Sequence, residues 1–431
     1  MTYGGTITGN LSIVKDGSFT QTFTAANSYT GTTTVNAGRL EVASAAALPG
    51  YNTPGMVAVN SGGTLLLRVG GTGTWTGTQI DALLGVSPAV FQAGSTLGFN
   101  ATGTFTYNSN ISGLQGLLKI GTSQVNLGGN STYSGGTSIA AGVLQATTST
   151  ALGTGTVTID GAGARLLLGN GVNLANNVTA NVADPGGGLG ALQGPASGSA
   201  TFSGTFTANV APASGGHIVG GSGLVIAGPL VHAPGAFVQI RDGNVTLANS
   251  AGNNTTDLRL MAGNISLGVD SGIDPNAIVT MSHGGTTNAT FNLNGFNQTV
   301  AGLVLGATNG VATINTGTGT LTLAGNVTSA ATAAARPPRP PPALALRARI
   351  PPREVRGRDA RPGSAGHGRP WVHQPLGPQL LPERRRDGPA HPLDPLEDLR
   401  PAGGSRDHGC HRRMGERELE CRRRQRHAVA R

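Results

Sequence analysis

The chain has 431 residues, 70 of them glycine, and a formal net charge of +9. That charge is unevenly held: residues 1–335 carry 7 Lys+Arg and 9 Asp+Glu, net −2, whereas residues 336–431 carry 22 Arg and 11 Asp+Glu, net +11. The basic signal that would suggest a nucleic-acid partner therefore belongs to the tail. The body, with about one charge per twenty residues, must cover itself with Thr, Ser, Asn and Gly.

Three further classes recede. Both cysteines, Cys410 and Cys421, lie in the tail, so no disulfide framework holds the body. No apolar run reaches the roughly 18 residues of a membrane-spanning helix. The opening, MTYGGTITGNLSIVKDG, shows no basic stretch followed by an apolar one, so no secretory signal is expected in it.

Along the body, short alternating patterns recur. Thr6-Ile7-Thr8, Thr34-Val35-Asn36, Val57-Ala58-Val59-Asn60, Thr156-Val157-Thr158-Ile159 and Thr320-Leu321-Thr322-Leu323 all read as strands. They are rich in β-branched residues and bounded by Gly, Asn, Asp or Ser, the signature of brief strands between turns. Helical spacing is confined to Thr78–Leu84, a turn or two. The pattern predicts an all-β solenoid or sandwich array.

Internal repetition decides for the solenoid. Residues 29–48 (YTGTTTVNAGRLEVASAAAL) align without gaps on 133–152 (YSGGTSIAAGVLQATTSTAL). Tyr29 matches Tyr133, Gly31 matches Gly135, Thr33 matches Thr137, Gly38 matches Gly142, Leu40 matches Leu144 and Leu48 matches Leu152. Val35 and Ile139 are conservative partners. Gly38 and Gly142 are expected to turn a corner with φ > 0 between two strands, and Leu48 and Leu152 to enter the next strand. Each coil has an apolar stripe that it cannot bury alone, so stacked coils would share one core. Coils of roughly twenty residues would give on the order of fifteen turns.

The string Tyr-Thr/Ser-Gly-x-Thr-x-Val/Ile-x-Ala-Gly-x-Leu, followed by Ala-Leu, resembles the autotransporter-associated β-strand repeat, also called the passenger-associated transport repeat. Two units match, about 20–68 and 120–170, and a third, about 310–335, is cut off before its core. The resemblance implies a right-handed parallel β-helix over 1–335. It also implies a passenger of a type V secreted bacterial surface protein, exported through an outer-membrane barrel and serving as stalk or adhesin. The implied location is the cell surface, the outer membrane or the medium. The implied partners are host glycans or matrix proteins, with no cofactor, no specific nucleic acid and membrane contact only through a barrel. The tail, without Phe or Tyr and with 16 prolines, does not supply that barrel.

Residues 336–431 contain no Thr, Asn, Lys, Phe or Tyr. Their composition predicts a disordered low-complexity Pro/Arg tail, read here as an out-of-frame translation of GC-rich codons. Cys410 and Cys421, with His408, His411 and His427, fit no zinc spacing.

For chemistry, some parallel β-helices cleave acidic polysaccharides with clustered carboxylates. The nearest candidates here are Asp270 and Asp274, with Asp257, Arg259, Arg241 and Asp242 upstream; the competing reading makes them turn residues. His217, His232 and His283 lack carboxylate neighbours. The sequence points to a non-enzymatic passenger, with a carbohydrate-active enzyme or a non-functional gene fragment as alternatives. Ligand contact would fall in excursions at 70–94, 184–216 and 227–235, with Trp75, Phe91, His217 and His232 as candidate contacts.

Overall fold

A computed structural model describes residues 1–329 apart from 88, 184–189, 282–287 and 307–310; the side chains of His217 and Val219 are also outside the description. The chain divides into two units, Met1–Arg353 and Glu354–Arg431. The Arg/Pro tail expected over 336–431 lies outside the described residues, as does His283.

The described part is a parallel β-helix of about 14 turns. Three long sheets form its walls. One has eleven strands and runs from Thr2–Tyr3 to Leu230–His232; a second, also of eleven, runs from Phe105–Tyr107 to Val327–Ser329; a third has seven, from Asn173–Leu174 to Ala312–Asn315. Shorter ladders complete the ends, among them Ile13–Lys15, Thr33–Val35 and Val57–Val59. Strand pairing is parallel throughout, because each strand meets its copy one turn later rather than a hairpin partner. Hydrogen bonds between residues 20 apart, such as Ser131 Oγ accepting from the Ile111 amide, set the length of the regular coil.

Strands of three residues with the outer two buried, as in Thr137–Ile139, Val157–Ile159 and Val178–Ala180, send apolar side chains inward at alternate positions. Register then stacks like on like: Leu65 pairs with Leu97, Leu97 with Leu117, and Ile139 with Ile159. The result is one continuous core from Phe23 to Leu303. No coil closes such a core by itself, so stability comes from stacking.

Asparagine ladders hold the corners. Asn60 donates to Asn36 Oδ1 at 2.8 Å, and Asn36 donates to Asp16 Oδ1 at 2.9 Å. Asn209, Asn181 and Asp160 repeat the arrangement.

The excursions expected from sequence mostly build wall. Residues 70–94 leave the coil, but fold back as the helix Gly77–Leu84, started by a capping box between Thr76 and Gln79 and burying Ile80 and Leu83. Within 184–216, Ala200–Phe202 and Phe206–Ala208 are wall strands with buried phenylalanines. Within 227–235, Leu230–His232 is the last strand of the first sheet. Glycine and alanine content imitated loop chemistry there, while period 2 carried the strand.

Candidate functional site: the paired repeat corners

The two repeat segments fold into the same corner. Thr33–Val35 and Thr137–Ile139 bring in the chain, and Gly38–Val42 and Val143–Ala146 take it away. Between them Gly38 has φ +66° and Gly142 φ +67°, the left-handed turn that L-residues with a side chain avoid. A Cβ would also stand 2.3 Å from the Gly17 carbonyl oxygen at the first corner and 2.4 Å from that of Gly121 at the second. Gly31 and Gly135 are required by space: a Cβ would lie 2.3 Å from Leu11 O and 2.4 Å from Gly116 N. In both copies the backbone of the preceding coil occupies the room of a side chain.

Tyr29 and Tyr133 are buried inside the coil, 2 % and 0 % exposed. Their hydroxyls bond the hydroxyls of Thr33 and Thr137, at 2.6 Å in each copy. Burial raises the Tyr133 hydroxyl, and that of Tyr29, above the usual tyrosine range. Leu40, Leu144, Leu48 and Leu152 are fully buried. Leu48 enters no strand, contrary to expectation: it closes the 3-10 turn Ala45–Ala47, and Leu152 likewise sits in a turn. In both copies a tight turn, Ala45–Ala47 in the first and 149–152 in the second, drops the leucine into the core.

The corner contains a residue that the repeat alignment did not include. Lys15, from the strand Ile13–Lys15, donates to the carbonyls of Asp16 at 2.8 Å, Gly17 at 2.7 Å and Ala37 at 3.0 Å. Lys119, from Gly116–Ile120, donates to Ile120 at 2.8 Å, Gly121 at 2.8 Å and Ala141 at 3.0 Å. Three donors thus meet three acceptors, two on the lysine's own coil and one on the next. The signal was present in the composition: these are the chain's only two lysines, at equivalent places in the two copies. Burial lowers the Lys119 ammonium to about 8. The clasp joins coils, and its ammonium is 0 % exposed in Lys119, so it offers nothing to a ligand.

Residues 13–42 and 117–146, the segments spanning each clasp and corner, match the family model described as passenger-associated-transport-repeat. The chain carries two passenger-associated transport repeats. Comparison with curated proteins and with solved structures finds no match. The family match begins at 13 and 117, so each repeat starts with the strand that bears the lysine. The two repeats stand in different walls: Leu40 lies in the first long sheet and Leu144 in the second. Between the repeats the chain makes the 70–94 excursion, flanked by the long strands Gly63–Val69 and Thr96–Ala101.

Outside the repeats, the candidate contacts fall into three groups. Trp75 is 1 % exposed, donates from Nε1 to Val42 O at 3.2 Å and meets Tyr51 edge-on, so it is core rather than ligand contact. Phe91 is likewise buried. The excursion returns both to the wall, Trp75 bridging to Val69 and Phe91 to Val59, where apolar area is better placed than in water. His232 remains partly exposed, but its ring spans two coils: Nε2 accepts from the Thr256 amide at 3.0 Å, which leaves the proton on Nδ1 to reach Ala233 O at 2.8 Å. The His217 side chain is outside the described residues.

The carboxylates are occupied in building turns and rungs. Asp270 accepts from the Asn297 amide at 2.6 Å, Asp274 from the Asn276 amide at 2.8 Å, and Asp242 from the Gly243 amide at 2.7 Å. Asp257 pairs with Arg259 at 2.9 Å, and that guanidinium lies 3.4 Å over the Phe237 ring. Glu41 takes Arg68 at 2.8 Å and Asn100 at 2.9 Å on one oxygen, and Thr22 on the other. Among the described residues no group of three metal-ligating side chains converges. No helix among them is long and apolar enough to cross a membrane.

Proposed function

We propose that this chain is the stalk and binding part of an autotransporter passenger: a β-helical element of a type V secreted bacterial surface protein. In this reading it acts without turnover, by presenting regular polar faces to host glycans or matrix proteins. The observation that carries it is the coincidence of two passenger-associated transport repeats with a parallel β-helix whose outward side chains are Thr, Ser and Asn rungs. Such rungs repeat at the roughly 4.8 Å spacing of paired strands, which suits extended polymers better than small ligands. The repeat would assist secretion because each lysine clasp and glycine corner locks a newly emerged coil onto the one before it.

The test is a screen of the refolded body against immobilised glycans and matrix proteins, run beside a depolymerisation assay on acidic polysaccharides. Saturable binding without product release supports the proposal. Cleavage that is lost in Asp270→Ala would replace it with a carbohydrate-active enzyme.

A further inference from the structure

Besides standing in different walls, the two repeats differ in what covers them. At the offset of 104 residues that separates 13 from 117, Tyr3 corresponds to Tyr107, Ile7 to Ile111, Leu11 to Gln115, Val14 to Leu118 and Lys15 to Lys119. The second set is buried: Tyr107 is 2 % exposed and Leu118 7 %. In the first set Tyr3 is 45 % exposed and Val14 58 %, and Phe19 stands out at 84 %. Together with Met1, Ile13 and Phe23, these side chains line an apolar concavity of about 760 Å³ at the N-terminal end of the coil stack.

A strand and a helix cover the second set. The strand Thr96–Ala101 lies parallel on Gly116–Ile120, placing Leu97 on Leu117, Gly98 on Leu118, Phe99 on Lys119 and Asn100 on Ile120. The helix Gly77–Leu84 adds Asp81, which accepts from the Tyr107 hydroxyl at 2.8 Å. At the first repeat the strands Thr2–Tyr3, Thr8–Gly9 and Ile13–Lys15 are each the outermost of their ladders. Natural edges are blunted by charge, proline or bulges. Here the only charged side chains in residues 1–19 are Lys15, which is clasped, and Asp16, and there is no proline.

We propose that this N-terminal face is a docking seat for one further coil of extended polypeptide. Its chemistry follows from the covered copy. It brings an apolar–small–aromatic run to lie on Ile13, Val14 and Lys15, as Leu97-Gly98-Phe99 lies on Leu117, Leu118 and Lys119. An asparagine follows, opposite Asp16, whose carboxylate already ends the ladder from Asn60 and Asn36. It also carries an acceptor for the Tyr3 hydroxyl. Main-chain pairing along Ile13–Lys15 supplies affinity, and the alternate side chains supply register.

The full chain is compared with a version in which a copy of residues 70–105 is joined directly ahead of Thr2, the junction that the offset dictates. Hydroxyl-radical footprinting of Tyr3, Leu11 and Val14 reads the seat. The graft is expected to lower their labelling to the level of Tyr107 and Leu118 and to raise the urea midpoint. A graft whose copy carries Leu97→Asp and Phe99→Asp should do neither. The same footprint with a synthetic peptide of residues 92–105 added to the unaltered chain makes the test independent of how the graft folds. Labelling unchanged in both formats overturns the proposal. So does a concentration-dependent dimer of the unaltered chain with Tyr3 and Val14 already protected, which would assign the face to a second copy.

Discussion

The ammonium of Lys119 reaches the carbonyl oxygen of Ala141 on the following coil at 3.0 Å, and Lys15 reaches Ala37 at the same distance. The bond crosses from one turn to the next at the point where Gly142, or Gly38, bends the chain. Lys119→Met keeps the stem and removes the donors. It leaves three inward carbonyls without a partner, each costing about 1 kcal/mol or more when buried. The expected loss is about 3 kcal/mol, read as a fall in the urea midpoint with m unchanged. Lys119→Arg should not rescue it, since a planar fork cannot meet three converging carbonyls. A neutral result for Lys119→Met would reduce the clasp to ornament.

The same lysine makes stability depend on pH in a definite direction. Burial lowers it to about 8 in the folded protein, against an unfolded value of about 10.5. Between these values the unfolded chain binds the extra proton, so stability rises with pH across that window and is complete above 10.5. As pH falls through 8 the contribution is lost, because the fold must then hold a buried charge whose desolvation the three carbonyl acceptors offset only in part. The gain from pH 8 to 10 should be on the order of 2 kcal/mol, and Lys119→Met should flatten it. The Met substitution therefore costs more at pH 10 than at pH 7. A wild-type midpoint that falls over this range, while the variant's does not, contradicts the assignment.

Much of this fold was legible and some of the site was not. Period-2 runs announced strands because each wall strand buries alternate residues, as Val157 and Ile159 do around Thr158. Identical glycines at 38 and 142 announced a corner because only glycine fits there. The clasp role of Lys15 and Lys119 was not legible, because a buried lysine breaks the apolar rule and its three carbonyl partners carry no side-chain signature. Trp75 and Phe91 were assigned to a solvent-facing excursion because glycines flank it. Whether such a segment points out or folds back is settled by tertiary packing on Val42 and Tyr51, which no local pattern records.

The corner glycines separate two costs that usually travel together. Gly142→Ala meets both a positive φ and a Cβ 2.4 Å from the Gly121 carbonyl. Gly171→Ala meets φ +76° with open space around it. Gly171→Ala should cost about 1 kcal/mol of backbone strain. Gly142→Ala should cost at least about 3 kcal/mol, since two backbones must part. Thermal midpoints of the two variants measured together decide the matter, and equal losses would mean that the coils have slack at the corner.

Tyr133 and Thr137 form a closed pair, each supplying the other's buried hydroxyl at 2.6 Å. Tyr133→Phe strands the Thr137 hydroxyl and should cost about 1–2 kcal/mol. Thr137→Val strands the phenol, whose ionisation burial already opposes, at a similar cost. The double variant removes both polar groups and keeps nearly the same shape, so it should lose less than the sum of the two. A double-mutant cycle in urea gives the difference, expected to be about 1 kcal/mol of coupling. The equivalent cycle at Tyr29 and Thr33 should return the same sign, because the geometry is the same. Strict additivity at both sites would show that solvent reaches the hydroxyls and that the two corners are looser than their 2.6 Å bonds imply.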